Sequence, residues 1–80
     1  MTFTLYTKPA CVQCNATKLA LTKAGLVEGV DYRTVDVSRD AAALEQIKEA
    51  GFMQAPVIIT DDDAWSGFRP DKIAGLTAAA

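Results

Sequence analysis

The sequence predicts a small α/β domain spanning residues 1–80, in which three helices flank a four-stranded mixed sheet in the order βαβαββα. Half of the residues are hydrophobic and 22% are charged, a composition typical of globular proteins. Apolar residues alternate in some segments and recur at helical spacing in others. The two cysteines of the chain, Cys11 and Cys14, stand where the first strand gives way to the first helix. Eighty residues allow one compact core.

The first strand is predicted at Phe3–Thr7, and Lys8-Pro9-Ala10 ends it before the cysteines open the next element. The helix that follows extends to Ala24, and Gly25 is a suitable C-terminal stop. Its predicted buried stripe is apolar at helical spacing and consists of Ala16, Leu19, Ala20, Leu21 and Ala24.

A second strand is predicted at Val30–Val37, where apolar and polar residues alternate as in a strand with one buried face. Ser38 and Asp40 are both possible N-caps of a second helix, because each side chain can accept a backbone hydrogen bond. This helix is expected to end near Gly51. Its apolar side is formed by Ala43, Leu44, Ile47 and Ala50.

The last third of the chain is predicted to form a hairpin and a helix. Pro56–Thr60 has the composition of a short buried strand, Asp61–Asp63 that of an exposed turn, and Ala64–Ser66 that of a brief final strand. Pro70 suits the first position of a helix. The terminal Ala78–Ala80 is expected to fray. The inward side of the last helix is expected to contain Ile73 and Leu76.

Charge and hydropathy exclude two classes of partner. The net charge is −2 and no basic run is present, whereas phosphate binding requires clustered Lys and Arg, so a nucleic acid is not the expected partner. No apolar stretch approaches the roughly 20 residues of a spanning helix, so a membrane is not expected either. Because the N-terminus lacks the features of a signal peptide, we expect a cytoplasmic, reducing location, where a lone structural disulfide is disfavoured.

The position of the cysteines predicts thiol–disulfide exchange. Cys11 lies at a helix N-terminus, where free N–H groups and the helix dipole stabilise a thiolate relative to a thiol. Lowering the thiol pKa from about 8.5 to about 7 needs roughly 2 kcal/mol, near the upper end of what a partly buried helix terminus supplies. Cys14, one turn later on the same face, can resolve a mixed disulfide formed on Cys11.

Other uses of the two cysteines are also possible. A closed zinc or iron–sulfur site usually needs four soft ligands, and this chain has two cysteines and no histidine. Two chains together would supply enough ligands for a cluster that bridges a dimer. Both cysteines would alternatively serve as small core residues. The absence of histidine excludes a Cys-His hydrolase dyad.

Several motifs together resemble a known family. The element order, the Cys-X-X-Cys motif at the first strand-to-helix junction and Ala55-Pro56 before the third strand resemble the thioredoxin fold in its minimal, glutaredoxin-sized form. The resemblance spans the whole chain. Within that superfamily, Lys8–Cys14 together with Trp65–Asp71, read as Trp-Ser-Gly-Phe-Arg-Pro-Asp, is similar to the NrdH-type redoxins.

This resemblance implies a redox carrier. It implies an electron donor to a class Ib ribonucleotide reductase that is itself reduced by thioredoxin reductase. The carrier would hold a redox-active Cys11–Cys14 disulfide and no bound cofactor, with FAD and NADPH entering only through the reductase, and a monomer is expected. A glutathione-dependent glutaredoxin is the second possibility, although the segment at 65–71 replaces the Gly-Gly and acidic segment with which glutaredoxins hold glutathione. A dimeric iron–sulfur or redox-sensing module is the third.

The resemblance also implies roles for residues around the cysteines. Pro56 is expected to be cis and to lie beside the sulfurs, which leaves the backbone of Ala55 free to pair with an extended partner segment. Lys8 either adds a positive charge that favours the Cys11 thiolate or is an ordinary surface lysine. Gln13 borders the active-site loop and is a candidate for polar contacts with partners.

The segment after the third strand has two possible roles, core packing or partner recognition. It contains Trp65, Ser66, Gly67 and Phe68. Arg69 and Asp71 follow, and they are expected to join the polar groups of this segment in a brace that holds the last helix near the sheet. Both roles are compatible, because a tryptophan can be packed in the core while its neighbours face a partner.

Overall fold

A computed structural model describes residues 2–78 and confirms the predicted order of strands and helices. Ala79 and Ala80, which were expected to fray, lie outside the described residues, while Ala78 belongs to the last helix. No helix within residues 2–78 is both long and apolar enough to cross a bilayer. The elements are β1 (Phe3–Thr7), α1 (Val12–Lys23), β2 (Tyr32–Asp36), α2 (Ala41–Glu49), β3 (Val57–Ile59), β4 (Ala64–Ser66) and α3 (Pro70–Ala78).

The sheet is mixed and has the strand order β2-β1-β3-β4. β1 is parallel to β2 and antiparallel to β3, and β4 is antiparallel to β3. Tyr6 is opposite Val57, and Val57 is opposite Ser66. The carboxyl ends of β1 and β4 and the amino end of β3 therefore meet at one edge of the sheet.

Hydrophobic side chains cover both faces of the sheet, as the alternation of side chains along a strand requires. One face packs against α1 and α3, and the other packs against α2. The first cluster consists of Phe3, Leu5, Leu21, Tyr32, Ile58, Trp65 and Ile73. The second consists of Val37, Ala43, Ile47 and Val57.

The buried side of α1 differs from the predicted stripe. Leu19 is 56% exposed, and Ala24 is an exposed C-cap. Leu21 of the predicted stripe is buried, and Ala20 packs against the first cluster. Cys14 and Thr17, which the stripe did not include, complete the buried face with Leu21, spaced by three and four residues as one helix face requires. Apolar character alone misplaced Leu19 and Ala24, because it does not show how the helix is rotated against the sheet.

The second strand is shorter than Val30–Val37. Val30 is 71% exposed and belongs to a turn in which its N–H donates to the Val27 carbonyl at 3.1 Å. The Asp31 carboxylate closes the same turn by accepting the Val27 N–H at 2.7 Å. Among the strand residues only Tyr32 is buried, because β2 is an edge strand and the expected alternation weakens there.

The start of α2 is capped by Asp40, one of the two predicted caps. Its Oδ1 accepts the Ala43 N–H at 3.0 Å. Ser38 makes a different contact, since its N–H and hydroxyl both donate to Asp36 Oδ1. The helix ends as predicted near Gly51, which has a φ of 96°, a conformation that glycine adopts without penalty.

The hairpin follows the prediction with small changes. β3 lacks the predicted end residues Pro56 and Thr60, and proline has no N–H to donate to a neighbouring strand. The Thr60 hydroxyl accepts the Asp63 N–H at 3.0 Å, which holds the exposed turn between β3 and β4. Pro70 begins α3 as expected, and its fixed φ suits the first turn of a helix.

We predict that Asp40→Ala lowers the free energy of unfolding by about 1 kcal/mol, because the Ala43 N–H loses its acceptor. Urea denaturation followed by circular dichroism measures this loss. Asp61→Ala is the matched control, since Asp61 lies in an exposed turn. A loss no larger than that of the control would contradict the capping role.

Candidate active site

The chain turns sharply between β1 and α1. Ala10 has a φ of 54°, a left-handed conformation that costs a residue with a Cβ roughly 1–2 kcal/mol. Cys11 follows in an extended conformation with φ −115° and ψ 105° and is the N-cap of α1. The turn thus places a cysteine where helices ordinarily have Ser, Thr, Asp or Asn.

The sulfur of Cys11 caps the first turn of α1. Its Sγ accepts the N–H of Cys14 at 3.1 Å. The two cysteines are joined by a disulfide, with 5.2 Å between their Cα atoms. The residues of the first turn, 12–15, carry no acidic side chain, so no carboxylate there competes for the positive end of the helix dipole.

The two cysteines differ in exposure. Cys11 is 8% exposed and Cys14 is 1% exposed, so the expectation of an open helix start overstated the accessibility of Cys11. Part of the cover comes from Ala55, whose carbonyl oxygen lies 3.9 Å from Cys11 Sγ. Cys11 nevertheless lines a surface groove of about 420 Å³, together with Lys8 and Gln54. Of the two sulfurs, that of Cys11 is therefore the more accessible from the surface.

The peptide bond between Ala55 and Pro56 is cis, which confirms the prediction. Ala55 lines the same groove as Cys11, and Pro56 is buried behind it. The Pro56 carbonyl accepts the N–H of Gly67 at 2.8 Å. The segment before β3 and the segment after β4 are thus joined beside the disulfide.

Gln13 makes a contact within the chain. Its side-chain Oε1 accepts the N–H of Phe68 at 3.3 Å. Gly67 has a φ of 82°, and a Cβ placed there would lie 3.4 Å from the same oxygen. The loop after β4 is therefore tied to the helix that carries the cysteines.

Thr17 is a site residue that sequence reasoning missed. It is almost completely buried, and its hydroxyl donates to the Gln13 carbonyl oxygen at 2.8 Å. This bond satisfies a polar group in the core, as burial requires. The available signal was its spacing, since a residue three positions after Cys14 shares its face of the helix.

Trp65 is a core residue, which confirms the packing interpretation for this side chain. The indole Nε1 is buried and has no hydrogen-bond partner within residues 2–78. Lys72 Nζ lies 5.7 Å from the centre of the ring. Ser66 is exposed and Phe68 is 39% exposed, so the segment combines a buried anchor with surface residues.

The predicted brace at the start of α3 is divided between two ion pairs. Arg69 and Asp71 form a two-pronged pair, at 3.1 Å from Nε to Oδ1 and 2.9 Å from Nη2 to Oδ2, but both residues lie at the same end of α3. The link to the β3–β4 hairpin is made instead by Lys72, whose Nζ is 2.9 Å from Asp63 Oδ2. Arg69 and Asp71 are only two residues apart, so their ion pair does not connect α3 to the sheet. Lys72 does so because its side chain points toward Trp65 and the hairpin.

Large apolar side chains lie in or close to the groove. Val12 borders it directly, and Met53 lies beyond Ala55 in an adjoining hollow. Both are exposed, as is Phe68. Exposed apolar side chains grouped at one place mark interaction surfaces more often than scattered ones do. Within residues 2–78 no group of three or more His, Cys, Asp or Glu is arranged to hold a metal ion.

Comparison with known proteins gives a consistent family. The glutaredoxin family model matches residues 3–65. The chain is 44% identical over 79 residues to the glutaredoxin-like protein NrdH of Escherichia coli strain K12, a match that covers 99% of this chain and 93% of that protein. It is 36% identical over 73 residues to glutaredoxin-like protein NrdH of Lactococcus lactis subsp. cremoris, covering 91% of this chain and 96% of the relative.

Solved structures show the same architecture. The glutaredoxin-like NrdH-redoxin from Escherichia coli, described as having a thioredoxin-like activity profile, superposes with a TM-score of 0.87 at 45% identity and 95% coverage of both chains. A glutaredoxin from Archaeoglobus fulgidus superposes with a TM-score of 0.77 at 19% identity, covering 92% of this chain and 83% of that one. The second match supports the fold alone, and the predicted thioredoxin-like fold is confirmed.

The ion pairs of α3 predict a loss of stability in acid. The hydrogen bond from Lys72 lowers the pKa of Asp63, and the hydrogen bond from Arg69 lowers the pKa of Asp71. A carboxyl whose pKa is lower in the folded state contributes stability above its unfolded pKa of about 3.9, and that contribution disappears as the pH falls through the folded value. We expect the melting temperature to fall as the pH is lowered from about 5 to about 2.5.

The double variant Asp63→Asn with Asp71→Asn should lose less of its melting temperature than the wild type over this pH interval. Thermal unfolding at several pH values measures the difference, and Asp61→Asn is the control. Parallel pH profiles for the wild type and the double variant would show that these pairs contribute nothing to the acid sensitivity.

Proposed function

Because the chain belongs to the glutaredoxin family, as one of its NrdH-type redoxins, we propose that it is a dithiol–disulfide oxidoreductase that reduces disulfides in partner proteins. In this proposal thioredoxin reductase supplies the electrons and a class Ib ribonucleotide reductase receives them. The observation that carries the proposal is the Cys11–Cys14 disulfide at the N-terminus of α1, where no acidic side chain of the first turn offsets the positive end of the helix dipole.

The reaction follows from the placement of the two sulfurs. In the reduced protein the Cys11 thiolate attacks one sulfur of the partner disulfide, which breaks that bond, forms a mixed disulfide and releases one partner thiolate. The Cys14 thiolate then attacks Cys11 Sγ and releases the second partner thiolate. Two electrons pass to the partner, two protons balance the thiolates formed, and the Cys11–Cys14 disulfide is restored. Thioredoxin reductase returns two electrons from NADPH.

Partner recognition in this proposal uses the groove beside Cys11. The backbone of Ala55, next to the cis bond, pairs with an extended partner segment that carries the reacting sulfur. Lys8 lies at the rim of the same groove and adds a positive charge near the developing thiolate. The exposed side chains of Val12, Met53 and Phe68 supply the apolar contacts. No deep pocket is needed, because a protein partner is gripped along its surface.

The choice of thioredoxin reductase over glutathione is supported by two points. The NrdH-redoxin of Escherichia coli, similar to this chain over most of its length, is described as having a thioredoxin-like activity profile. In addition, the segment at 65–71 replaces the one with which glutaredoxins hold glutathione, and here Trp65 is buried in the core while the Gly67 N–H is bound to the Pro56 carbonyl.

In this proposal the protein is a cytoplasmic monomer without a cofactor. The protein holds no cofactor of its own, since FAD and NADPH belong to the reductase, and it acts in the cytoplasm, where dithiols are kept reduced. It acts as a monomer, as a carrier that visits two enzymes in turn. The net charge of −2 fits a protein partner and not a nucleic acid.

The deciding experiment follows NADPH oxidation while this protein passes electrons to an added protein disulfide, in two coupled systems. One contains thioredoxin reductase, and the other contains glutathione with glutathione reductase. We expect turnover in the first system and little in the second, with a Cys11→Ser variant as the inactive control. Turnover in the glutathione system alone would reject the proposal and favour a glutathione-dependent glutaredoxin. Visible absorbance in the purified protein would favour a cluster-bridged dimer.

The reduced protein should contain one thiol of lowered pKa. In a Cys14→Ser variant, we expect the thiolate absorbance of Cys11 to titrate with a midpoint below that of an ordinary thiol, because the helix start stabilises the thiolate. The matched Cys11→Ser variant leaves only Cys14, which is almost completely buried, and should show no such midpoint. A Cys11 midpoint at or above about 8.5 would reject activation by the helix.

A further inference from the structure

Two hydrogen bonds hold the loop that follows β4 against the active site. The Gly67 N–H donates to the Pro56 carbonyl at 2.8 Å, and the next N–H, from Phe68, donates to Gln13 Oε1 at 3.3 Å. The first bond comes from backbone alone. The second depends on one side chain, located between the two cysteines in sequence and 55 residues away from its partner.

Two neighbouring features, the hydroxyl of Thr17 and the missing Cβ of Gly67, accompany the contact of Gln13. Its own carbonyl oxygen accepts the hydroxyl of the buried Thr17 at 2.8 Å, which fixes the first turn of α1. Gly67 lacks a Cβ, and one built there would already touch Oε1 at 3.4 Å. The amide is neutral, so it accepts a hydrogen bond without placing a negative charge beside the Cys11 thiolate, which would raise the pKa of that thiol.

We propose that Gln13 is a positioning residue that holds the backbone of Phe68 beside the dithiol and so sets the shape of the surface that receives the partner reductase. The proposal rests on the proposed function, because it assigns Gln13 to binding of the same partner. The two residues between the cysteines thus have different roles in this proposal. Gln13 holds the loop within the chain, whereas Val12 is exposed and contacts the partner directly.

The consequence concerns binding more than chemistry. Loss of the side-chain oxygen frees the Phe68 N–H, and the backbone of the loop samples positions farther from the helix that carries the dithiol. A single hydrogen bond of this kind corresponds to a change of about two- to tenfold. Because the bond from Cys14 N–H to Cys11 Sγ is independent of this side chain, the turnover number should change less than the KM for the reductase.

The experiment compares Gln13→Leu, which removes the acceptor at similar volume, with Gln13→Glu, which keeps an acceptor oxygen. Gln46→Leu is the control, because Gln46 is exposed on α2, the helix on the opposite face of the sheet. Two quantities are measured on the full chain: the hydrogen-exchange rate of the Phe68 amide in the oxidised protein, by nuclear magnetic resonance, and the KM and kcat with thioredoxin reductase.

We expect Gln13→Leu to raise both the Phe68 exchange rate and the KM by about two- to tenfold. Gln13→Glu should restore the exchange rate, because it keeps the acceptor oxygen, and Gln46→Leu should change neither quantity. An unchanged Phe68 exchange rate in Gln13→Leu would overturn the contact, and a raised rate with an unchanged KM would overturn its role in docking. If the wild-type protein is reduced by glutathione alone, the proposed function fails. The role of Gln13 is then tested by the Phe68 exchange rate together with the KM for glutathione: a raised rate with an unchanged KM would overturn it.

Discussion

The start of α1 depends on a sulfur atom where most helices use oxygen. Cys11 Sγ accepts the N–H of Cys14, and the sharp turn at Ala10 gives Cys11 the extended backbone that an N-cap needs. This contact holds the first cysteine at the positive end of the helix, and Cys14 lies on the same buried face of α1 as Leu21. The cysteine pair therefore belongs both to the reactive surface and to the packed side of the helix.

The sheet topology brings the rest of the site to this helix start. The register of β1, β3 and β4 places the segments at 8–14, 53–56 and 66–68 at one edge of the sheet. Each segment contributes something different, namely the sulfurs, the backbone of Ala55 and the surface around Phe68. They are joined by hydrogen bonds from Gly67 and Phe68, so the groove is built from loops that support one another.

Much of this arrangement was predictable from local signals. Strand and helix order, the cap at Asp40 and the position of Cys11 follow from patterns within a few residues of each other. Contacts between distant residues were not predictable, as the bond from Phe68 to Gln13 shows. Leu19 was wrongly assigned to the core because apolar character does not reveal how a helix is rotated. Val30 was wrongly assigned to the second strand because the alternating pattern extends into the turn that precedes the strand. The role of Lys72 required knowledge of which side of α3 faces the hairpin.

The sulfur cap ties the helix start to the redox state of the protein. A thiolate accepts a hydrogen bond more strongly than a neutral disulfide sulfur does, because charge-assisted hydrogen bonds are the stronger kind. Where the reduced protein holds Cys11 as a thiolate, this contact stabilises the first turn of α1 more strongly than it does in the disulfide form. By thermodynamic reciprocity, any substitution that alters the stability of that turn differently in the two forms also alters how readily the molecule gives its electrons away.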